Sequence, residues 1–202
     1  MGYFPFFVDV ENQNCLVVGG GVVALRKIEK LLPFNPNITV VSPKVHKEIL
    51  SIENIDIIKR KFDFNDLKEK SFVITATDDK VLNKEIYNSC EENNIPVNTV
   101  DDKDNCSFIF PALAKNKGVT VAISTSGKSP IYAKYLRKKI ENLIQDSESI
   151  VDNLSKYREK IKNEISLEEN RKVAFERLLD HSLNNENITD DLVDKIIKDL
   201  SV

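Results

Sequence analysis

Apolar and polar positions along the first half of the chain alternate between two patterns. Short runs rich in β-branched residues predict strands, and the stretches between them repeat apolar residues every three or four positions, which is typical of helices. Helices are predicted from Val22 to Pro33, over Lys44–Leu50 and over Lys80–Glu92. The predicted strands are Cys15–Val18, Ile38–Val41, Ile55–Phe62, Phe72–Thr77 and Ile95–Asp101. Strands that alternate with helices imply an α/β fold with a Rossmann-type, doubly wound parallel sheet.

Three segments depart from this alternation. An aromatic stretch, Tyr3–Val8, predicts a short extra strand beside the sheet. Further along, Ser107–Leu113 and Gly118–Ser124 predict two strands with no helix between them. A hairpin-like element therefore leaves the parallel sheet, and a helix that ends near Ile144 is expected to follow it.

The last quarter of the chain predicts helices only. Three apolar stripes at helical spacing indicate three helices, with a linker at Asn184–Asn187 and Thr189 as the cap of the last helix. We expect a Rossmann domain over residues 1–112, a dimerisation region over residues 113–146 and a small all-helical C-terminal domain over residues 147–202. The departing strands and the apolar stripes of the tail predict a homodimer.

Composition excludes several classes of function. The 202 residues carry a net charge of −3, whereas a nucleic-acid binder needs an excess of basic residues. No apolar run approaches the roughly 20 residues that span a bilayer, and the N-terminus lacks a signal-peptide pattern, so a cytoplasmic protein without a membrane segment is expected. The three cysteines and two histidines form no ligand cluster, which predicts no bound structural metal.

A glycine-rich turn joins the first strand to the first helix. Gly19, Gly21 and Ala24 fit the G-x-G-x-x-G/A pattern of dinucleotide-binding proteins. There the first glycine permits the turn, the second admits a pyrophosphate against the backbone, and the free N–H groups of the new helix face that anion. Gly19 and Gly21, with Val22 and Val23 at the helix start, are the predicted cofactor-binding residues, although a purely structural glycine turn remains an alternative.

The residues that follow the other parallel strands are expected at the same edge of the sheet as this turn. Ser42, Pro43 and Lys44 follow the second strand, where NAD-binding folds usually carry an acidic residue for the adenosine ribose. Ser42 and backbone groups can hold the ribose instead, and Lys44 leaves a phosphorylated ribose open, so the sequence does not choose between NAD and NADP. Thr77 and Asp78 follow the fourth strand and complete the predicted cofactor site.

The segment before the helix that ends near Ile144 is a second candidate anion site. It offers hydroxyl groups on Ser124, Thr125 and Ser129, and the ammonium group of Lys128. Ser129 is a good N-cap and Pro130 suits the first helical position. An ordinary capped helix explains the same residues equally well.

These motifs, taken together and in order, resemble one family. The chain to about Ile144 is similar to precorrin-2 dehydrogenases, which also form the N-terminal half of bacterial sirohaem synthase. The segments that carry the resemblance are Val17–Lys27, Thr75–Asp79, Asn98–Asp101, Ser107–Pro111 and Ser124–Pro130. The helical tail resembles the family only in length and pattern, and we expect no methyltransferase half in this chain.

The resemblance implies NAD-dependent oxidation of precorrin-2 to sirohydrochlorin by a homodimer with exchanged strands. Asp101 matches the family's proposed catalytic aspartate, although an aspartate after a strand is more commonly only a turn former. Ser124, Thr125, Lys128 and Ser129 would bind the acidic substrate, and Thr125 stands where some members have serine. Some members also insert Fe²⁺ to give sirohaem, and the sequence leaves that second activity open.

One function of another class explains part of the same pattern. A non-catalytic NAD- or ligand-sensing Rossmann dimer accounts for the glycines and the helical tail. It gives no reason for Asp101, Ser107–Pro111 and Ser124–Pro130 to occur together. We therefore expect an enzyme.

Overall fold

The computed structural model describes residues 3–184 and 188–201, and their contacts divide the chain into two units. The first unit is Phe4–Phe110, and the second contains Pro111–Val202. Each unit is described by itself below. A separate dimerisation region over residues 113–146 stays a prediction.

The first unit is built on a five-stranded parallel sheet in the order β3-β2-β1-β4-β5. Its strands are β1 Asn14–Val18, β2 Asn37–Val41, β3 Ile55–Ile58, β4 Phe72–Thr75 and β5 Val97–Thr99. Val18 is in register with Val41 on one side and with Thr75 on the other, so the carboxyl ends of the three central strands lie level. The predicted Rossmann-type α/β fold is confirmed.

Three α-helices connect these strands: α1 Val22–Leu31, α2 Lys47–Leu50 and α3 Lys80–Glu92. Two 3-10 turns, Leu32–Phe34 and Phe64–Leu67, complete the connections. The bounds of α3 are those predicted. Helix α2 starts three residues later than predicted because the Ser42 hydroxyl donates to the Lys44 carbonyl and holds that stretch in a turn.

Both faces of the sheet are covered, as the apolar sequences of the central strands require. Cys15 and Val17 of β1 belong to the cluster that includes α1, whereas Leu16 and Val18 belong to the cluster that includes Ile86 and Cys90 of α3. Burial raises the pKa of Cys90 to about 11, so this thiol stays protonated at neutral pH. Cys90 is thus a residue of the core.

The second unit begins with an antiparallel hairpin and continues as helices. Its elements are β6 Ala112–Asn116, β7 Val119–Ile123, α4 Pro130–Leu143, α5 Ser147–Lys156, α6 Arg158–Glu164, α7 Glu168–Leu183 and α8 Asp190–Leu200. A cluster of buried side chains from α6 to α8, with Tyr157, forms the core of the tail. The side chain of Thr189 caps α8, as predicted, by accepting from the N–H of Leu192.

Two of the strands predicted outside the parallel sheet are wrong. Tyr3–Val8 forms no strand, and the side chains of Phe4 and Phe6 are 75% and 79% exposed, so their apolar surface does not hold the segment against the sheet. Ser107–Leu113 is not one strand. Instead, Phe108 and Phe110 pack their rings against the core, and regular pairing begins only at Ala112.

The tail contains four helices in its described part rather than three. The first apolar stripe is interrupted at Tyr157, where α5 ends and α6 begins. The Tyr157 hydroxyl donates to a carboxylate oxygen of Asp190 at 2.7 Å, which fixes this break against α8. Of the predicted linker, residues 185–187 lie outside the described residues. No described helix is both long enough and apolar enough to cross a membrane.

Candidate functional site

The turns that follow β1, β2, β4 and β5 carry the candidate residues of the first unit. They lie at the carboxyl edge of the sheet, where doubly wound folds bind their ligands. This edge brings together Gly19 to Val23 of the first turn and helix start, Ser42 to Lys44, Thr77 with Asp78, and Asp101.

The three consecutive glycines have different surroundings. Gly19 has a φ of +114°, and a Cβ atom there would lie 2.3 Å from the carbonyl oxygen of Ala76. A Cβ atom on Gly20 would lie 2.4 Å from the carbonyl oxygen of Lys44, whereas one on Gly21 would meet nothing within 4 Å. Gly19 and Gly20 are therefore required by packing, and only Gly21 borders open space.

The N-terminus of α1 is free to meet an anion. Gly21 is the N-cap residue and supplies no side-chain hydrogen bond, and the first turn contains no acidic residue. Each other α-helix of the described residues has a side-chain cap or an acidic first turn. Val22 and Val23 are 48% and 38% exposed beside this opening. Their backbone N–H groups and the helix dipole suit a phosphate.

The turn after β2 packs against this glycine loop. The Ser42 hydroxyl donates to the Lys44 carbonyl at 2.7 Å, and the N–H of His46 donates to the Gly20 carbonyl at 2.7 Å. Because the Ser42 proton is used in this way, its oxygen can only accept from a ligand hydroxyl. Pro43 and the Lys44 side chain are exposed next to it.

Thr77 serves mainly to fix the turn after β4. Its hydroxyl lies 2.6 Å from the Asn83 side-chain oxygen, and Asn83 donates back to the Thr77 carbonyl at 2.9 Å. Asp79 caps α3 by accepting from two backbone N–H groups. Asp78 is exposed and has no side-chain hydrogen bond to a described residue, so it is the carboxylate of this turn that a ligand can reach.

Asp101 follows β5 in the left-handed backbone region, with a φ of +58°. Aspartate tolerates this conformation better than most residues, so a turn-forming role is physically sound. The carboxylate is nevertheless exposed and makes no hydrogen bond or ion pair with the described residues. The Cys106 sulfur holds the loop, because it lies 3.1 Å from the Thr99 carbonyl and 3.0 Å from the Asp102 carbonyl. The fixed loop thus presents a carboxylate without an internal partner.

The structure also places Lys27 near this edge, a position that the sequence analysis did not predict. Its ammonium donates to the Asn98 side-chain oxygen at 3.2 Å and lies 4.2 Å from the centre of the Phe110 ring. Burial lowers the pKa of Lys27, and the charge of Lys30 lowers it further, whereas the charge of Asp101 acts in the opposite direction. A lysine at the border of the apolar stripe of α1 was the only available signal.

The hydroxyl-rich segment before α4 belongs to the second unit. Ser129 accepts from the N–H of Tyr132 at 3.3 Å, Thr125 from that of Ser129 at 3.1 Å, and Ser124 from that of Ser126 at 3.1 Å. Each oxygen is thus an acceptor for the backbone, whereas each hydroxyl proton stays available to a ligand. Lys128 is exposed beside them.

No group of three or more His, Cys, Asp or Glu residues suited to a metal ion occurs in the part of the chain that the structure describes. The groups of the first unit that are placed to meet a ligand include the N–H groups at the start of α1, the carboxylate of Asp101 and the ammonium of Lys27. A parallel sheet with a glycine turn and an open helix N-terminus defines a dinucleotide-binding domain.

A family model described as putative NAD(P)-binding matches residues 6–112, and the chain belongs to that family. A second model, described as the central part of a sirohaem biosynthesis protein, matches residues 116–143.

The chain is similar to several siroheme synthases, which confirms the resemblance inferred from the motifs. The siroheme synthase of Thioalkalivibrio sulfidiphilus is 40% identical over 184 residues, which cover 89% of this chain and 38% of the relative. That of Blochmanniella pennsylvanica is 43% identical over 169 residues, which cover 82% and 35%. The chain thus spans about two fifths of the length of these relatives.

The solved structure of a protein named SirC, precorrin-2 dehydrogenase, has the same fold. It matches with a TM-score of 0.73 and 23% sequence identity, and the match covers 98% of each chain. The likeness therefore extends over the helical tail as well as the sheet.

Proposed function

We propose that this chain oxidises precorrin-2 to sirohydrochlorin with NAD as the oxidant. The observation that carries the proposal is the whole-length likeness in fold to a protein named precorrin-2 dehydrogenase. The siroheme synthase relatives support it, because their similarity also reaches beyond the NAD(P)-binding domain into the tail. The site in the first unit has the groups that this reaction needs.

NAD would lie along the carboxyl edge of the sheet and supply the acceptor for the hydride. Gly21 leaves space for the pyrophosphate, which the N–H groups of Val22 and Val23 would bind. The Ser42 oxygen would accept from a ribose hydroxyl, and the exposed side chains of Pro43 and Lys44 would lie beside that ribose. Thr77 and Asp78 would border the other half of the cofactor.

Asp101 would act as the general base. Oxidation of precorrin-2 removes a hydride and a proton, and the proton needs an acceptor close to the reacting carbon. The Asp101 carboxylate has no internal partner among the described residues, so it is free to take that proton. A carboxylate already bound in an ion pair would be a weaker base.

The substrate carries eight carboxylates, and we propose that the segment before α4 binds some of them. Ser124, Thr125 and Ser129 offer hydroxyl protons that their backbone contacts do not use, and Lys128 adds a positive charge. Hydrogen bonds to ionised groups are stronger than neutral ones. Because the chain has a net charge of −3, binding of an anionic substrate depends on such local positive groups.

We also propose that the chain works as a homodimer in the cytoplasm. Ile131 and Leu143 on α4 are 85% and 83% exposed, which favours a partner surface for this helix. The three cysteines are free, as expected in a reducing compartment. Light scattering tests the dimer directly.

Insertion of Fe²⁺ into sirohydrochlorin is a further step that the carboxylate of Asp101 can support.

The decisive experiment is anaerobic incubation of the purified chain with precorrin-2 and NAD. We expect sirohydrochlorin and NADH to form in equal molar amounts, measured by their absorbances, and neither product to form when NAD is omitted. NADP in place of NAD shows which cofactor is used, and later addition of Fe²⁺ tests chelation. A chain that binds NAD and leaves precorrin-2 unchanged would support the non-catalytic sensing function instead.

A further inference from the structure

Lys27 is a partly buried cation that forms no ion pair with a carboxylate of the described residues. Among the described residues no Asp or Glu oxygen lies within 4.0 Å of its ammonium, and Asn98 supplies its one hydrogen-bond acceptor. A lysine ammonium has three N–H donors. At least one donor is therefore left for a ligand or for water.

The position of the ammonium is fixed on two sides. Asn98 donates from its amide nitrogen to the Phe108 carbonyl at 2.9 Å, which orients its oxygen toward Lys27. The Phe110 ring lies under the ammonium at 4.2 Å and attracts it through its π face. Both contacts use neutral groups, so they orient the positive charge and do not neutralise it.

The location of this charge links it to the candidate base. Asn98 lies on β5, three residues before Asp101, and the charge of Asp101 acts on Lys27. Helical side chains lean toward the N-terminus of their helix, which for α1 is the end that carries Gly21. The ammonium is therefore held on the side of α1 that faces β5, near the loop of Asp101.

We propose that Lys27 binds a carboxylate of the acidic tetrapyrrole beside Asp101. The assignment rests on the proposed function, which supplies an anionic ligand of this class. A partly desolvated cation that forms no direct ion pair with a described carboxylate is unfavourable in the free protein, and a ligand carboxylate relieves that cost on binding. One carboxylate held there would orient the macrocycle toward both Asp101 and the cofactor.

The test measures sirohydrochlorin binding in the absence of NAD. Lys27→Gln removes the charge but retains an amide that can donate to Asn98, so the fold is expected to persist. We expect affinity for sirohydrochlorin to fall about tenfold, the usual effect of losing one charge-assisted hydrogen bond, while affinity for NAD changes less than about twofold. Lys27→Arg should restore most of the loss, because it restores the charge.

Arg26 provides the matched control. It is the neighbouring cation on α1, and its side chain is exposed. Arg26→Gln should leave sirohydrochlorin binding unchanged, and an equal loss in both variants would mean that only the net charge matters and would overturn the assignment. Unchanged binding by Lys27→Gln also overturns it. Failure of the parent chain to bind sirohydrochlorin would overturn the proposed function together with this inference.

Discussion

The start of α1 and the start of α4 satisfy their backbone groups in opposite ways. At α1 no side chain caps the helix, and a Cβ atom on Gly21 would meet nothing within 4 Å. At α4 the hydroxyl of Ser129 caps the helix, and Thr125 accepts from the N–H of Ser129. The first region leaves N–H groups for a ligand, whereas the second uses them internally and offers hydroxyl protons instead.

Ligand binding and stability should therefore respond separately to substitutions at the start of α1 and together to substitutions at the start of α4. A substitution at Gly21 removes no internal contact, so its cost should appear only when a ligand binds. A substitution at Ser129 removes a helix cap as well as a ligand donor, so both stability and binding should respond. Substitutions at these two positions and at neighbouring site residues distinguish the two cases.

The largest effect is expected for Gly21→Asp, which should abolish detectable NAD binding. The new carboxylate would occupy the space and the positive field intended for a pyrophosphate. The fold should not suffer, because Gly21 has a φ of −83° that any residue adopts and aspartate is a favourable N-cap. Calorimetric titration with NAD and thermal unfolding measure the two results. Normal NAD affinity in this variant would show that the glycine loop is only structural.

Asp101→Asn should reduce sirohydrochlorin formation by about 100-fold, the usual contribution of a positioned acid–base group. Asparagine has the same size and also tolerates the left-handed backbone that Asp101 adopts. Because the carboxylate has no internal partner among the described residues, stability should be unchanged. Steady-state rates with precorrin-2 and NAD provide the measurement.

The same variant separates the two steps that one carboxylate could serve. If it still inserts Fe²⁺ into supplied sirohydrochlorin, Asp101 acts in the oxidation alone and another group accepts the pyrrole protons. If its oxidation rate equals that of the parent, Asp101 is only a turn former and the proposed mechanism is wrong.

Gly19→Ala should lower the free energy of unfolding by about 2 kcal/mol or more, because a Cβ atom at a positive φ collides with backbone. The contact is with the carbonyl oxygen of Ala76, at 2.3 Å. Gly21→Ala is the matched control and should unfold like the parent. Chemical denaturation of both variants makes the comparison, and equal stability would contradict the different roles assigned to these two glycines.

The sequence predicted elements where local pattern and tertiary contacts agree. Strand β4 and helix α3 follow from apolar runs, a clear cap and buried faces, and they form as expected. Tyr3–Val8 has the composition of a strand, yet it forms none, and Phe4 and Phe6 are largely exposed. Strand formation depends on a neighbouring backbone, which composition alone does not reveal.

The candidate site shows the same limit. The edge of the sheet that carries Gly21 and Asp101 could be predicted, because parallel strands end together. The contacts of Lys27 with Asn98 and Phe110 could not be predicted, since these two residues lie 71 and 83 positions away from it along the chain. Periodicity marks which face of a helix is buried, but it does not show which distant side chain that face meets.

The smallest effects concern Ser129, where the hydroxyl both caps α4 and offers a proton. Ser129→Ala should lower the free energy of unfolding by about 1 kcal/mol, because the N–H of Tyr132 loses its acceptor. Ser129→Asp should retain full stability, since aspartate is an equally good cap and suits the positive end of the helix dipole. Its added negative charge should nevertheless raise the KM for precorrin-2 several-fold, because the substrate is anionic.

Together, the two Ser129 variants distinguish a cap from a ligand site. If α4 begins with an ordinary cap, Ser129→Asp should match the parent in both stability and KM, and only Ser129→Ala should differ. If Ser129 also faces substrate carboxylates, the aspartate variant should be stable but bind precorrin-2 poorly, with the KM for NAD unchanged. Urea denaturation and steady-state kinetics at low ionic strength, where charge repulsion is least screened, measure the two effects independently.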